Sequence, residues 1–403
     1  MIGAVWSCVG GVAALASLPG TVELTLLSLA AVMPGKELPA GEGGWRVAVV
    51  VPAHDEEAVI RSCIESLMMA ARGGFEVDVW VIADHCTDAT AAVAEAAGAR
   101  VMRREDPLER GKGHGLNDAF TRLLAISGRG GYDCFLVVDA DTVVSPEFLV
   151  RAAGALRGGA EAVQVRYTAR QGEETMRTRL MDFALSAFNW VRPRGRERMG
   201  VSVGILGNGF GLRRETLEAV PYLAASLVED LEYHLALVRA GKRVHFVEGG
   251  GVFGEMPVRG KGVKTQRARW EGGRMHILKI EGPGLLRDVM RGRMASLEPL
   301  LDLLLLPLAF HVMLLVVAST AHARFVGAVG LTGLAIVFLH LGVTIVVRRG
   351  GLRDVVTLAG APFYIAWKIL LIPTLVRHAR AKQEWVRTDR NAMLTKDGDD
   401  DGR

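Results

Sequence analysis

Two carboxylates one residue apart, Asp139 and Asp141, close an apolar run, Phe135-Leu-Val-Val138. Four consecutive apolar residues bounded by polar ones read as a strand buried on both faces, as in a parallel sheet between helices. Both carboxylates then stand at its carboxyl end, where open α/β sheets bind their ligands. Two anions so close repel unless a proton or cation relieves them. A hard divalent ion with oxygen ligands, bridging to a diphosphate, is the usual resolution. The plainer reading is that Asp141 opens a turn before Ser145-Pro146-Glu147, an N-cap followed by proline at the first helical position.

Further polar clusters follow other strand-like runs. Pro52-Ala-His-Asp-Glu-Glu57 and Asp84-His-Cys-Thr-Asp88 are two of them. Three clusters on one sheet edge point to a site more strongly than any one. Singly, Asp55 could cap a helix whose first turn favours Glu56 and Glu57, and Thr87 or Asp88 could cap the next. Arg110-Gly-Lys-Gly-His-Gly115 carries Lys112 in a glycine-rich turn ahead of a helix. Backbone amides and a lysine there suit a phosphate, and an exposed flexible turn would look the same. It is not a Walker pattern, and no G-x-G-x-x-G follows the first strand, which argues against a dinucleotide cofactor.

Later in the chain, Gly204 to Gly211 is glycine-rich around Asn208, a loop through which backbone can approach a ligand. Ser226-Leu-Val-Glu-Asp-Leu231 opens a helix in which Ser226 and Glu229 have capping-box spacing. That leaves Asp230 as the candidate base. Gln266, Arg269 and Trp270 fall at i, i+3 and i+4, one face of a helix. A guanidinium suits a diphosphate and an indole a sugar ring. Lys261, Lys264, Arg267, Arg274 and Lys279 surround them, so a basic helix on anionic lipid fits as well.

These groups require a scaffold. Strands are expected at Val47 to Val51, Val77 to Ile82 and Ala162 to Tyr167, the last alternating apolar and polar. Helices are expected at Glu56 to Ala71, Asp88 to Ala97 and Gly113 to Ile126. Strand alternating with helix means crossover units and a mainly parallel sheet. At 403 residues, half hydrophobic yet 23% charged, the chain reads as a soluble domain joined to membrane segments. Its net charge of +4 is too small to imply nucleic acid binding, and its basic residues follow the apolar runs. The four cysteines have no C-x-x-C or metal spacing and read as reduced thiols.

Ile2 to Met33 is nearly uninterrupted apolar sequence, long for a signal peptide and without a basic start, so residues 1–34 are expected to be a retained transmembrane helix. Lys36 and Arg46 then place the following side in the cytoplasm. Residues 35–45 read as a linker, 46–258 as a cytosolic catalytic domain, and 259–296 as amphipathic interface helices. In the last of these, Leu285, Leu286, Val289 and Met290 alternate with Arg287, Arg291 and Arg293. In 297–380, Leu300 to Ala318 and Phe325 to Val347 read as two spans. Val355 to Val376, interrupted by Pro362, Lys368 and Pro373, is expected to be interfacial or re-entrant. That keeps Arg377, Arg380, Lys382, Arg387 and Arg390, and with them the 381–403 tail, in the cytosol. The expected location is thus a cell membrane, multi-pass, with the catalytic domain cytoplasmic.

Taken together, the clusters resemble the membrane-bound family 2 glycosyltransferases, the group of the cellulose, chitin and hyaluronan synthases. V-P-A-H-D-E-E (51 to 57) resembles the family's V-P-x-Y-N-E-x, and A-D-H-C-T-D-A-T (83 to 90) its D-D-G-S-T-D-x-T. G-K-G (111 to 113), D-A-D (139 to 141), V-E-D (228 to 230) and Q-R-A-R-W (266 to 270) follow in the family's order. The resemblance implies a GT-A type α/β fold binding a nucleotide sugar. By that resemblance the donor would be held by Pro52, Glu56, Asp84, Lys112, Asp139, Gln266 and Arg269, with Asp84 at the base. Asp139 and Asp141 would hold Mg or Mn, Asp230 would be the catalytic base, and Asn208, Glu229 and Trp270 would meet the acceptor. His54-Asp55 replaces Tyr-Asn and His85-Cys86 replaces Gly-Ser, which leaves the nucleotide base open.

The implied reaction is an inverting, metal-dependent transfer from a nucleotide sugar, expected to be a UDP-sugar, to a membrane-associated acceptor or growing polysaccharide. Two spans after the catalytic domain are few for a polymer channel in one chain. A single transfer to a lipid or short glycan is therefore the alternative, and a second copy or a separate export subunit could restore a channel. A more distant alternative is an inactive nucleotide-sugar-binding scaffold in the membrane.

Overall fold

The structure is a computed structural model that describes residues 2–35, 38–106, 109–170, 175–224, 226, 228–255 and 261–361, the side chains of residues 261–271 excepted. The apolar start forms one helix, α1 (Ile2–Ala31). Then strand and helix alternate: β1 (Arg46–Ala53), α2 (Ile60–Met69), β2 (Glu76–Asp84), α3 (Thr90–Ala96), β3 (Arg100–Arg104), α4 (Lys112–Leu124) and β4 (Cys134–Val137). These strands pair in parallel in the order β3-β2-β1-β4. The apolar runs of β1 and β4 take central places because both of their faces are covered. Val47, Val49 and Val51 pack with Ile60, Ile64 and Leu67 of α2, and Ala48 and Val50 pack with Leu116, Phe120 and Leu123 of α4.

The second half departs from the mainly parallel sheet the sequence suggests. It comprises β5 (Thr142–Val144), α5 (Phe148–Arg157), β6 (Ala162–Ala169), α6 (Met176–Ser186), α7 (Arg192–Met199), β7 (Phe210–Arg213), α8 (Arg214–Ala219), α9 (Glu229–Arg239) and β8 (Val244–Gly254). The sheet continues from β4 as β7-β6-β8-β5. Strand β7 runs antiparallel to both β4 and β6, and β5 antiparallel to β8. The reason is local. The glycine loop 204–209 wraps the carboxyl end of β4, so β7 begins where β4 finishes, Phe210 opposite Val137, and must run back. Helix α9 starts at Glu229 rather than Ser226 and has no side-chain cap. Glu232 instead accepts from the Ser226 amide at 3.3 Å, so the capping box is not formed.

The rest is helical: α10 (Lys261–Met290), α11 (Leu297–Leu304), α12 (Leu308–Ser319), α13 (Arg324–Val347) and α14 (Leu352–Ala359). Helices α1 and α13 are long and apolar enough to cross a membrane. The single span expected at Leu300 to Ala318 is instead two pieces meeting at 79°. Pro307 offers no amide and bars the residue before it from helical backbone, and Leu305 already turns extended (ψ 109°). The expected amphipathic surface around Leu285 is also split. Leu285 is fully buried against Val228, Ile277 and Leu303, while Leu286 and Met290 are exposed. Of the Val355 to Val376 segment, residues beyond 361 lie outside the described part, as does the tail.

Helix α1 is fastened to the rest by charge. Glu23 accepts from Arg192 at 3.2 Å and Arg196 at 2.7 Å, both on α7. Asp302 of α11 accepts from the same two arginines and from Arg274 of α10, and Glu298 pairs with Arg196. Glu23, Arg192 and Arg196 are each at most 5% exposed. Polar pairs extend the seam: Thr21 with His311 of α12 at 3.2 Å and Ser28 with His340 of α13 at 2.9 Å. Removing one partner from a buried ion cluster strands the others, at about 3–5 kcal/mol. Glu23→Ala is thus expected to lower the melting temperature of the detergent-solubilised chain by several degrees. Glu65→Ala, breaking the exposed Arg61–Glu65 pair, changes stability by about 0.5 kcal/mol or less. Equal melting of the two variants would contradict the fastening.

Candidate active site

The site grows from the carboxyl edge of β2, β1 and β4. Strand β4 delivers Asp139 and Asp141, α4 begins with Lys112, and α9 begins with Glu229 and Asp230. Lys112 joins them. Its ammonium donates to Asp139 Oδ1 at 2.5 Å and to the Gly207 carbonyl at 2.7 Å. Gly207, at φ 77°, lies so close to Asp230 that a Cβ there would stand 3.2 Å from Asp230 Oδ2. Asp230 Oδ1 accepts from the Leu231 amide at 2.9 Å.

Electrostatics tune these groups against one another. Burial raises the pKa of Asp230 above the ordinary aspartate range, and the Leu231 amide and Lys112 offset only part of it. Burial also pushes Glu229 up to about 7, helped by the Asp230 charge and opposed by Lys112. For Lys112 burial works the other way, but Asp139, Glu229 and Asp230 outweigh it and hold its pKa above the usual lysine value. The crevice therefore keeps a charged ammonium beside carboxyl groups that ionise late. Such a carboxylate is a proton acceptor, and the ammonium is a partner for an anion.

At the β2 end, Asp84 is already engaged. Its Oδ1 accepts from Arg104 at 2.9 Å and from His85 Nδ1 at 2.8 Å, which fixes the proton on that ring nitrogen. Its Oδ2 accepts from the Gly111 amide, at 3.4 Å. His85 holds a positive φ of 52°, where the family motif has glycine. Asp55, also at φ 52°, accepts from the amides of Thr87 and Asp88, so its carboxylate ties the two loops together and has a lowered pKa. Asp55, Cys86 and Asp88 cluster, but their oxygens are committed to these amides and to Thr90. Glu56 is half-buried, and its amide donates to Thr90 Oγ1 at 2.7 Å. Pro52 sits in β1 past the last residue paired with β4, where its missing amide costs nothing.

Other sequence candidates land differently. Asn208, read as an acceptor contact, is 1% exposed. Its Oδ1 accepts from the Asp139 amide at 3.1 Å and its Nδ2 donates to Thr142 at 2.8 Å, so it holds the D-A-D turn from behind. Gln266, Arg269 and Trp270 have helical backbone within α10, and their side chains lie outside the described part. Three residues escape sequence reasoning: Arg104, which clamps Asp84, Tyr167, whose hydroxyl lies near Asn208, Asp139 and Asp141, and Gln164, fully buried behind the glycine loop.

Asp139 and Asp141 offer two hard oxygen donors with Lys112 balancing one charge, which fits a divalent ion completing its shell with substrate phosphates. The sequence profile described as "Glycosyltransferase like family 2" matches residues 45–273, more than half of the chain and all of the crevice described above. The chain belongs to that family. Within glycosyltransferase-like family 2, a probable glycosyltransferase of Bacillus subtilis, YdaM, is 23% identical over 252 residues, 60% of this chain and 57% of that protein. A glucosyl-3-phosphoglycerate synthase of Mycobacterium tuberculosis is 36% identical over 136 residues, 32% of this chain and 39% of that one. The match thus spans under two thirds of either relative's length. A beta-monoglucosyldiacylglycerol synthase of Nostoc sp. is 26% identical over 85% of this chain and 76% of its own. The mannosyltransferase PcManGT of Pyrobaculum calidifontis, solved with GDP-Man and Mn2+, shares the fold. It has a TM-score of 0.54 at 16% identity and covers 85% of this chain and 98% of its own.

A reaction that uses Asp230 as base needs it ionised, so its rate is lost as pH falls through the raised carboxyl values. The acid limb of kcat is expected above the ordinary aspartate range, and Glu229→Gln, by removing a like charge, moves it to lower pH. An acid limb near pH 4 in the unaltered chain would contradict this electrostatic picture.

Proposed function

We propose that this protein is an inverting glycosyltransferase that transfers a sugar from a UDP-sugar to a lipid or lipid-linked acceptor at the cytosolic face of a membrane. The observation that carries the reading is Lys112, bonded at once to Asp139 and to the loop that flanks Asp230. Asp139 and Asp141 would hold Mn2+ or Mg2+, which would neutralise charge on the departing diphosphate. Lys112 supplies a second positive group to that diphosphate. Asp230 takes the proton of the acceptor hydroxyl as its oxygen attacks the anomeric carbon from the opposite side. One base suffices because no covalent sugar–enzyme intermediate intervenes. Glu229, raised in pKa beside it, faces the same acceptor side. Gln266, Arg269 and Trp270 are assigned to the diphosphate and acceptor by family resemblance alone.

Uridine is favoured by strand order. Asp84 ends β2 and Asp139 follows β4, with β1 between, two strand spacings or about 9–10 Å apart. That is the reach from diphosphate to base, with Pro52 and Glu56 in the middle beside the ribose. Asp84 Oδ1 already accepts twice, which leaves Oδ2 for a single base N–H. Uracil presents one such N–H, whereas guanine presents an adjacent pair that needs both oxygens. A lipid acceptor is favoured by helices α1 and α13 and by the likeness to the diacylglycerol-modifying relative, which extends over 85% of this chain. With two such helices and one bent pair among the described residues, a single transfer is favoured over polymer export.

The test is nucleoside diphosphate release by the full chain in detergent with a lipid extract as acceptor, across UDP- and GDP-sugars with Mn2+ or Mg2+. Release with one UDP-sugar is expected, reduced about 100-fold or more in Asp230→Asn. Turnover of GDP-sugars alone would sink the uridine assignment, and an undiminished Asp230→Asn rate would sink the base. A ladder of lengthening products would replace the single-transfer reading with a synthase.

A further inference from the structure

Gln164 lies in the middle of β6, 0% exposed, in the run Ala162-Val-Gln-Val165. A buried amide must find partners or cost free energy. Those of Gln164 belong almost entirely to one segment. Its Oε1 accepts from the Leu206 amide at 2.9 Å. Its Nε2 donates to the carbonyls of Asn208 at 2.7 Å, Val165 at 3.0 Å and Gly209 at 3.2 Å, two protons shared among three acceptors. The side chain is thus a template against which the loop 206–209 is laid.

Apart from the backbone bonds of Gly209 to Val137 and Val165, the shape of the loop is left to side chains. Gly204, Gly207 and Gly209 all have positive φ, a backbone with wide freedom when unfolded. At Gly209 a Cβ would meet Val165 and Val252 below 3.0 Å, so no larger residue can stiffen it there. Yet this loop carries both anchors of the crevice. The Gly207 carbonyl holds the Lys112 ammonium, and Asn208 holds the Asp139 amide.

We infer that Gln164 is a positioning residue for the transfer reaction, setting Lys112 and Asp139 through the backbone of Gly207 and Asn208 without touching substrate. The inference rests on the proposed roles of Lys112, Asp139 and Asp230. Only an amide meets all the demands. Methionine, similar in volume, leaves the Leu206 N–H and the Asn208 carbonyl unpaired. Glutamate keeps the acceptor for Leu206 but, when ionised, turns an oxygen toward three carbonyls.

Gln164→Met and Gln164→Glu test this in the full detergent-solubilised chain with three readouts. Turnover should fall about 10- to 100-fold in kcat, with KM for the donor changed less than about threefold, because the nucleoside end at Asp84 is remote from the loop. The second readout needs no activity: the rate of Lys112 acylation by an amine-reactive ester, read by peptide mass spectrometry. It should rise several-fold in both variants while Lys242, paired with Glu161 elsewhere, keeps its rate. The third is a pH series for Gln164→Glu, whose activity relative to the unaltered chain should recover as the pH falls and the introduced carboxyl regains a proton to donate.

Unchanged kcat and unchanged Lys112 acylation in Gln164→Met would overturn the inference. So would a parallel loss of melting temperature, donor affinity and protection at every lysine, the pattern of a merely structural residue. If the unaltered chain turns over no nucleotide sugar yet Lys112 responds selectively, the loop linkage stands and the transferase reading fails instead.

Discussion

Asp139, Asp141, Glu229 and Asp230 converge on one crevice, and among the described residues Lys112 is the cation bonded within it. Such a gathering of acids is unstable by itself. Without Lys112 each carboxyl group would raise the pKa of the next, and a neutral Asp230 could accept no proton. The ammonium holds Asp139 by one bond and the glycine loop by another, so charge balance and geometry are set by the same atom. A β-strand, a helix start and a loop that are far apart in sequence thereby become one site. The position of Lys112 at the first turn of α4 follows from Gly111, whose φ of 118° lets the chain swing into the helix with its amide toward Asp84.

The parts of the site that abut an abrupt change of pattern were legible in the sequence. Asp139 follows four apolar residues, Lys112 sits between glycines, and Asp230 is the second of two acids at a helix start. Each marks an edge that periodicity alone reveals. Gln164 could not be found that way, because a polar residue in an alternating run reads as facing solvent, and only the arrival of the loop 206–209 makes it interior. The direction of β7 was hidden for a similar reason, since residue period says nothing about strand polarity. The glycines before it carried the signal, as a loop tight enough to return the chain along β4.

Hydropathy does not register the bend within Leu300 to Ala318. Pro307 is apolar and counts toward a span, yet its missing amide breaks the helix that a span requires. The same arithmetic concealed α11, whose Glu298 and Asp302 face the arginines of α7 and α10 rather than water. These charges are the joint between α11 and the helices α7 and α10.

That joint bears on how the chain is made. Glu23 is synthesised early, in a helix otherwise fit for lipid, and its partner Arg192 lies 169 residues later. Until the α7 arginines arrive, the carboxyl group has no counter-charge, and an acid inside a bilayer is costly. The packing of α1 is therefore completed only after α7 has folded against it.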